Sequence, residues 1–259
     1  MSASTSFIRV NVDPRNPGQF FACCGLLELA DRLWGGVEGW FADNQFHSAH
    51  TGGTLADVLQ AVSLAELHQV DPDNDTSSAI LIGPPFDLLL DWWQDERSGG
   101  KQLKVWAGTM QSVRIARAMR GTFQRTDLQN ENLFDQGMVV YDPDAQDRKV
   151  EPYYFDSRRG ANAQALDIGF VPDALHMTTT AYPAVEFLCL VGLQRARPAP
   201  TDTPRVFTYF TWSVPLPAPL LPAATTGQLG HVGAAGYRFE NAFRTNQKKH
   251  KAFLPATPI

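Results

Sequence analysis

The sequence predicts a mixed α+β protein whose chain begins with elements in the order β-α-β-β-α. Apolar and polar side chains alternate through Ser6–Val12, which is the period of a strand with one buried face. From Asn16 to Trp34 the apolar residues instead recur at a spacing near 3.6, which is typical of an amphipathic helix. The 259 residues are 44% hydrophobic and 19% charged, a globular composition. This length suits one large domain or two small ones.

The predicted first helix carries a start signal and a stop signal. Asn16 can cap it, Pro17 suits its first position, and Gly35 can end it. Cys23 and Cys24 are adjacent within this helix, so their side chains point about 100° apart and are poorly placed to ligate one metal. Packing is the preferred interpretation of both, because free cysteine is among the most buried residue types.

The remaining elements are predicted from the same two periods. Gly39–Ala42 and Gln45–Ala49 are predicted strands, and Thr54–Leu67 is a predicted helix capped by Thr54. The beginning of the chain therefore has the order of an RRM-like or ferredoxin-like unit, followed by additional helices and a basic C-terminal part. Further predicted elements are strands at Ala79–Ile82 and Arg205–Val214, helices at Thr109–Arg120 and Leu175–Gln194, and a helix or strand at Phe86–Trp93.

Changes in composition divide the chain into three parts. Residues 1–214 are predicted to form the mixed α+β core domain, residues 215–227 a proline-rich connector, and residues 228–259 a basic C-terminal segment. The connector contains four prolines, which are expected to keep it extended rather than regular.

Charge is unevenly distributed along the chain. Residues 1–100 contain 4 basic and 14 acidic residues, whereas residues 101–259 contain 18 basic and 13 acidic residues. The asymmetry suggests a polyanionic partner for the second part. The first residues lack the pattern of a signal peptide, and no run approaches the length of an apolar membrane span. The three cysteines form no disulfide pattern, so a soluble cytoplasmic protein without membrane contact is expected.

The segment TMQSVRIARAMRG is the strongest candidate for contact with nucleic acid. Arg114, Arg117 and Arg120 share one face of the predicted helix, and Lys101 and Lys104 lie just upstream. Such a positive ridge suits a phosphate backbone. A solvated helix face with ordinary ion pairs is the alternative.

Two further basic segments are candidates of the same kind. In YYFDSRRG, Tyr153 can stack on an unpaired base while Arg158 and Arg159 bind phosphate. Asp156 can also pair with Arg158 or Arg159 to fix a turn, and the two interpretations are compatible. The segment YRFENAFRTNQKKHKAF interleaves aromatic and basic residues, which indicates either nucleic-acid contact or a solubilising tail. Its candidate residues are Arg238, Arg244, Lys248, Lys249 and Lys251.

Motifs of catalysis and metal binding are missing from the sequence. There is no P-loop, no G-x-S-x-G and no zinc spacing, and His47 and His50 are better explained as structural than as ligands. No catalytic residue, metal or cofactor is therefore predicted.

The opening of the chain resembles a known family. FIRVNVDP, NPGQFFACCGLLELADRLW and GVEGWF, together with YYFDSRRGANAQALDIGF and AYPAVEFLCLVGLQRARP, are similar to the short large-subunit-like protein of type I-G (formerly I-U) CRISPR surveillance complexes. The resemblance implies a subunit that sits with the backbone and crRNA-processing proteins on a guide RNA and contacts target DNA. It also implies help in recognising the protospacer-adjacent motif and in recruiting the helicase–nuclease, with guide pairing supplying sequence specificity.

Two alternatives to this non-enzymatic role remain open. The first is an RRM-like CRISPR endoribonuclease that processes repeat RNA, with His176, His231 or His250 as candidates for proton transfer. The second is a protein-only scaffold subunit, whose docking face would be the acidic first part of the chain.

Overall fold

Four antiparallel sheets and a central helix pair make up the described part of the chain, which is mixed α+β as predicted. The computed structural model describes residues 6–74, 76–97, 99–107, 110–159, 180–230, 232–244 and 250–259. The strands are β1 (Ser6–Asn11), β2 (Glu38–Ala42), β3 (Gln45–His50), β4 (Leu67–Gln69), β5 (Ile80–Ile82), β6 (Leu88–Leu90), β7 (Tyr141–Asp142), β8 (Ala145–Lys149), β9 (Ala199–Pro200), β10 (Val206–Phe210), β11 (Leu216–Pro217), β12 (Gly236–Phe243), β13 (Lys251–Phe253) and β14 (Thr257–Pro258). The α-helices are α1 (Pro17–Trp34), α2 (Leu55–Leu64), α3 (Gly100–Leu103), α4 (Ser112–Gly121), α5 (Pro183–Arg195) and α6 (Leu221–Thr225).

The sheets connect distant parts of the chain. The first sheet has the order β1-β3-β2-β11, and the second has the order β13-β12-β10-β9 with β14 also on β12. A third sheet, β4-β5-β6, and the hairpin β7-β8 complete the set. Short 3₁₀ helices occupy Trp92–Gln94, Thr122–Gln124, Thr126–Leu128, Leu133–Asp135, Ser157–Arg159 and Ala218–Leu220.

Helix α1 begins and ends at the residues that the sequence predicts. The Asn16 side chain accepts hydrogen bonds from the backbone N–H groups of Gly18 and Gln19, at 3.1 and 3.5 Å. Gly35 ends the helix with φ of 74°, and its N–H donates to the Asp31 carbonyl oxygen at 2.7 Å. These local interactions need no partner elsewhere in the chain, which is why the sequence is sufficient to predict them.

Helices α1 and α5 cross in close contact at the centre of the core. A Cβ on Gly25 would overlap the Leu188 carbonyl oxygen, and a Cβ on Gly192 would overlap the Phe21 carbonyl oxygen. Cys23 and Cys24 are fully buried in α1, which confirms the packing interpretation. The two glycines, which lack a Cβ, allow the two helix backbones to approach this closely.

The first sheet contains the three strands of the predicted β-α-β-β-α unit in the order β1-β3-β2. The next strand of the chain, β4, pairs with β5 instead of extending this sheet beside β1. The predicted helix Thr54–Leu67 stops at Leu64 because Leu67 belongs to β4 and pairs with Ile82. At the edge of β1, the Asn11 N–H donates to the Glu131 carbonyl oxygen at 2.7 Å.

The segment predicted as an extended connector is regular in the structure, and that part of the prediction is wrong. Strand β11 pairs with β2 through Leu216 and Gly39, and α6 follows within residues 215–227. Strand β11 tolerates Pro217 because it lies at a sheet edge, where a missing N–H breaks no pairing. Helix α6 tolerates Pro222 because this residue lies in its first turn. The division at residues 214 and 227 stays a prediction; one hydrophobic core includes residues from all three parts.

Three other predicted elements differ in extent. Helix α5 starts at Pro183, and the earlier residues 175–179 of the predicted helix lie outside the described residues. Helix α4 starts at Ser112, and Thr109 is likewise outside them. The predicted strand Arg205–Val214 is shorter in the structure and covers Val206–Phe210. No helix among the described residues has both the length and the apolar character needed to cross a bilayer.

Candidate nucleic-acid interface

A basic pocket of about 590 Å³ lies between α3, the residues before β10, and the β12–β13 pair. We call it the Arg205 pocket. Two lysines predicted to contact nucleic acid, Lys101 and Lys251, lie in its wall with Arg205, while Glu96 is its carboxylate. The lining residues are Glu96, Lys101, Gln102, Pro204, Arg205, Phe243 and Lys251. Three cations against one carboxylate give the pocket a positive character.

The pocket is assembled by hydrogen bonds between segments far apart in sequence. Strand pairing sets Phe243 opposite Lys251. The Asn241 side-chain amide donates to the carbonyl oxygens of Gln102 and Leu103, both at 2.8 Å, and so ties β12 to α3. These buried contacts hold the three walls of the pocket in place.

Arg205 has an unusual backbone conformation at the mouth of this pocket. Its φ is 64°, in the left-handed region that a non-glycine residue adopts at a cost of about 1–2 kcal/mol. Its backbone N–H donates to the Gln102 side-chain oxygen at 3.1 Å, which helps to hold this conformation. The guanidinium carbon lies 4.6 Å from the Phe243 ring centroid, and a terminal nitrogen lies 3.8 Å from a Glu240 carboxylate oxygen. Its buried Nε has no hydrogen-bond partner among the described residues.

Lys251 is the most enclosed cation of the pocket, with 9% of its surface exposed. Its Nζ donates to the carbonyl oxygens of Gln102 and Lys101, at 2.7 and 3.4 Å. Burial, together with the positive charges of Arg205 and Lys104, lowers the pKa of Lys251 to about 8. A buried cation of lowered pKa in a cleft is typical of a binding or catalytic position.

The two lysines upstream of the arginine helix have different surroundings. Lys101 is 72% exposed and pairs with Glu96 at 2.5 Å across the rim of the pocket. Lys104 does not line the pocket. Its Nζ donates to the Thr76 carbonyl oxygen at 2.9 Å and to the Ser77 hydroxyl at 3.1 Å, and burial lowers its pKa to about 8. Lys104 therefore anchors a neighbouring loop while adding positive charge near Lys251.

The three arginines of α4 have partners inside the protein. Arg114 forms an ion pair with buried Asp142, a partner outside the helix. Arg117 donates to the Leu67 carbonyl oxygen at 2.8 Å, and Arg120 donates to the Ala65 carbonyl oxygen. The contacts of Arg117 and Arg120 tie α4 to the start of β4, and Arg114 ties it to β7 through an ion pair. The geometry therefore favours structural roles over a free ridge.

A second basic pocket, of about 360 Å³, lies between α4 and β8. Arg114, Arg148 and Lys149 are its cations, and Glu151 is its carboxylate. Arg244 approaches it from β12: its guanidinium lies 3.3 Å from the Tyr154 ring centroid and a terminal nitrogen lies 3.9 Å from Glu151. Phe243, which lines the Arg205 pocket, and Arg244, which approaches the second pocket, are neighbours in the sequence.

The YYFDSRRG segment is largely internal. Tyr153 is fully buried, and its hydroxyl donates to the Ser112 carbonyl oxygen, so its ring offers no face to a base. This corrects its assignment as a stacking residue. The Nε and one terminal nitrogen of Arg158 donate to the two carboxylate oxygens of Asp156, at 3.0 and 2.7 Å. This bidentate pair confirms the turn-fixing alternative. Arg159 is half-buried, and its Nε has no partner among the described residues.

A buried polar network explains why this segment is internal. The carboxylate of Glu186, on α5, accepts the backbone N–H groups of Phe155 and Asp156 at 3.2 and 3.1 Å. Burial raises the pKa of Glu186 to about 8, against the lowering effect of these N–H donors. Asn16 donates to the Asp156 carboxylate at 3.0 Å, so the helix cap is part of the same network.

The remaining predicted residues are spread over β12 and beyond. Arg238 is exposed on β12, outside both pockets. Lys248 and Lys249 lie outside the described residues, as do His176 and His231. The carbonyl oxygen of His250 accepts the Arg244 N–H at 2.8 Å.

Four functional candidates escape the sequence-based prediction: Arg205, Phe243, Arg148 and Lys149. Arg205 stands between a proline and a strand, with no local motif that marks it. Arg148 and Lys149 are adjacent cations, which is a visible but weak signal.

Comparisons with known proteins give no assignment: no family model, no curated protein and no solved structure matches this chain.

Proposed function

We propose that the chain is a non-catalytic, nucleic-acid-binding subunit of a CRISPR type I ribonucleoprotein of the Cascade kind. Its nucleic-acid partners are crRNA and target DNA, and its protein partners are the backbone and crRNA-processing subunits and the helicase–nuclease. It works in the cytoplasm in antiviral defence, without a cofactor. The role as a large-subunit-like protein rests on the sequence resemblance.

The single observation that carries nucleic-acid binding is the Arg205 pocket. Three cations from three separate segments, Lys101, Arg205 and Lys251, line one cleft although nothing in their sequence neighbourhoods requires it. Arginine and lysine in a positive cleft suit phosphate oxygens, and a cleft of this size accommodates a nucleotide unit. The chain as a whole is acidic, with a net charge of −5, whereas these three cations belong to its basic second part.

An RRM-like start for the chain is part of the proposal. The β-α-β-β-α order and the antiparallel neighbours β1-β3-β2 support it, while the pairing of β4 with β5 means that the unit lacks a fourth strand in the usual place. RRM-like sheets bind single-stranded RNA on their open face.

The scaffold role is retained as a second candidate because of one feature. The outward row His68–Leu81–Leu89 crosses the β4-β5-β6 sheet, and Leu89 is 42% exposed. Leu81 and Leu89 make part of this row apolar, which suits a protein partner, while exposed His68 lies 2.9 Å from the Glu66 carboxylate.

A binding and cleavage assay separates the candidates. The purified chain is incubated at low salt with labelled repeat RNA and with labelled duplex DNA, with and without a chelator. We expect retarded, intact nucleic acid. Cleaved RNA would favour the endoribonuclease alternative. Absence of nucleic-acid binding, together with binding to RNA-free partner subunits, would favour the scaffold.

A further inference from the structure

The depth at which Lys251 lies in the Arg205 pocket restricts what can reach it. Its Nζ contacts the Gln102 carbonyl oxygen at 2.7 Å, and only 9% of the residue is exposed. A phosphodiester within a continuous strand has chain on both sides, which hinders its approach to an enclosed group. A phosphate at the end of a strand has one free side and can approach the enclosed lysine.

The charges of the pocket match an anion with two negative charges. Glu96 is already paired with Lys101 at the rim, at 2.5 Å. Glu240 approaches Arg205 only at 3.8 Å, so the Arg205 guanidinium and the Lys251 ammonium are incompletely neutralised. A terminal phosphate is a dianion at neutral pH, because its second pKa is about 6, whereas an internal phosphodiester carries a single charge.

The hydrogen-bond donors also have capacity left for a ligand. The Arg205 side chain is 32% exposed, and its terminal nitrogen approaches Glu240 only at 3.8 Å, so its terminal nitrogens can still donate to a ligand. A guanidinium can donate two parallel hydrogen bonds to phosphate. Pro204 and the Phe243 ring provide an apolar wall beside it, suited to the sugar or base of the last nucleotide.

We propose that the Arg205 pocket binds the terminal phosphate of a nucleic-acid strand, with Arg205 and Lys251 as its phosphate ligands. This inference rests on the proposed nucleic-acid binding and adds the strand end as the preferred group. A 5′-phosphate and a 3′-phosphate share the required chemistry, so the experiment includes both.

The test compares four short single-stranded RNAs of one sequence. The first has hydroxyl groups at both ends, the second has a 5′-phosphate only, and the third has a 3′-phosphate only. The fourth is a control that carries the fluorescent label at an internal nucleotide. Fluorescence anisotropy at fixed salt gives the affinity of the full chain for each. We expect one phosphorylated form to bind about tenfold tighter than the hydroxyl form, which corresponds to one extra charge-assisted contact. In Arg205→Gln and Lys251→Met this advantage should disappear, whereas Arg238→Gln should lower all affinities together and keep it.

The pH dependence gives a second measurement that needs no variant. Lys251 faces Arg205, Lys104 and Lys101 as cations, with Glu96 and Glu240 as the acidic groups nearby. The phosphate stays a dianion from pH 7 to 9, while Lys251 loses its proton through this range, so the advantage should shrink as the pH rises.

The outcomes distinguish this inference from the proposed function. Equal affinity for all four RNAs would overturn the terminal-phosphate site and leave nucleic-acid binding standing. An advantage that survives both substitutions would also overturn it, because the site would then lie elsewhere. Absence of binding to any RNA would overturn the inference and the proposed function together.

Discussion

At the scale of single residues, the structure changes the meaning of several basic side chains. The sequence indicates Arg114 and Arg158 as phosphate ligands, but each contacts a buried aspartate. Arg205, which the sequence does not indicate, lies in a basic pocket. Spacing along the chain shows which side chains share a helix face but not which distant carbonyl or carboxylate meets them. The partners of an arginine are therefore the part of the site that sequence predicts least well.

Replacing Arg205 tests whether its backbone is strained for the sake of the pocket. Arg205→Gly relieves the left-handed strain, and Arg205→Ala keeps it. We expect the glycine variant to be more stable than the alanine variant by about 1 kcal/mol in urea unfolding. An alanine variant as stable as the glycine variant would mean that residue 205 is not strained.

Lys251 provides a prediction about pH and stability. Its pKa in the folded protein, about 8, lies below the ordinary value of 10.5, so between these values the unfolded chain holds more protons and stability rises with pH. Lys251→Met removes this titration while Lys104 remains in both proteins. The stability of the wild type relative to the variant should therefore rise between pH 8 and 10, by on the order of 1–2 kcal/mol in urea unfolding. A relative stability that falls with pH would contradict the assigned burial.

At the scale of elements, helix ends that depend on neighbouring residues were predictable from the sequence, whereas the pairing of strands was not. The ends of α1 follow from Asn16, Pro17 and Gly35, which act within one helical turn. Leu67 belongs to a strand because Ile82 pairs with it, and β11 forms because β2 offers an edge. These partners are 15 or more residues away, beyond the reach of a periodicity argument.

The glycine contact between α1 and α5 should be intolerant of a methyl group. Gly25→Ala places a Cβ against the Leu188 carbonyl oxygen, so we expect a loss of about 3 kcal/mol or more in thermal unfolding. Gly121→Ala is the matched control, since its Cβ would meet nothing within 4 Å in a helical backbone. The control should gain about 0.5–1 kcal/mol. Equal effects of the two changes would show that the helices do not meet at Gly25.

The arginines of α4 should matter to stability. Replacing Arg114, Arg117 and Arg120 together by alanine removes the partner of buried Asp142 and two donors to carbonyl oxygens near β4. We expect a loss of about 2–4 kcal/mol in chemical denaturation. Exposed Arg238→Ala should change stability by less than about 0.5 kcal/mol. Unchanged stability with lost RNA binding would restore the phosphate-ridge interpretation of this helix.

At the scale of the whole molecule, charge in the sequence and charge in space agree only in part. The second part of the chain is basic, but several of its described cations have partners inside the protein, and six of the described cations line the two pockets. The mixed α+β class was predictable from two periodicities. The Arg205 pocket was not, because residues near positions 101, 205 and 251 are brought together by the pairing of β10, β12 and β13 and by the Asn241 hydrogen bond to α3.

The most direct test of the account is the salt dependence of single-stranded RNA binding. Each phosphate contact contributes about 0.7 to the log–log slope for a single strand. We predict a slope of about −2 or steeper for the wild type, and a slope shallower by about 1.4 for Arg205→Gly combined with Lys251→Met. The matched control Arg125→Ala, an exposed arginine outside both pockets and outside the first sheet, should keep the wild-type slope. A flat wild-type slope, or a double variant that follows the wild type, would contradict binding of nucleic acid through the Arg205 pocket.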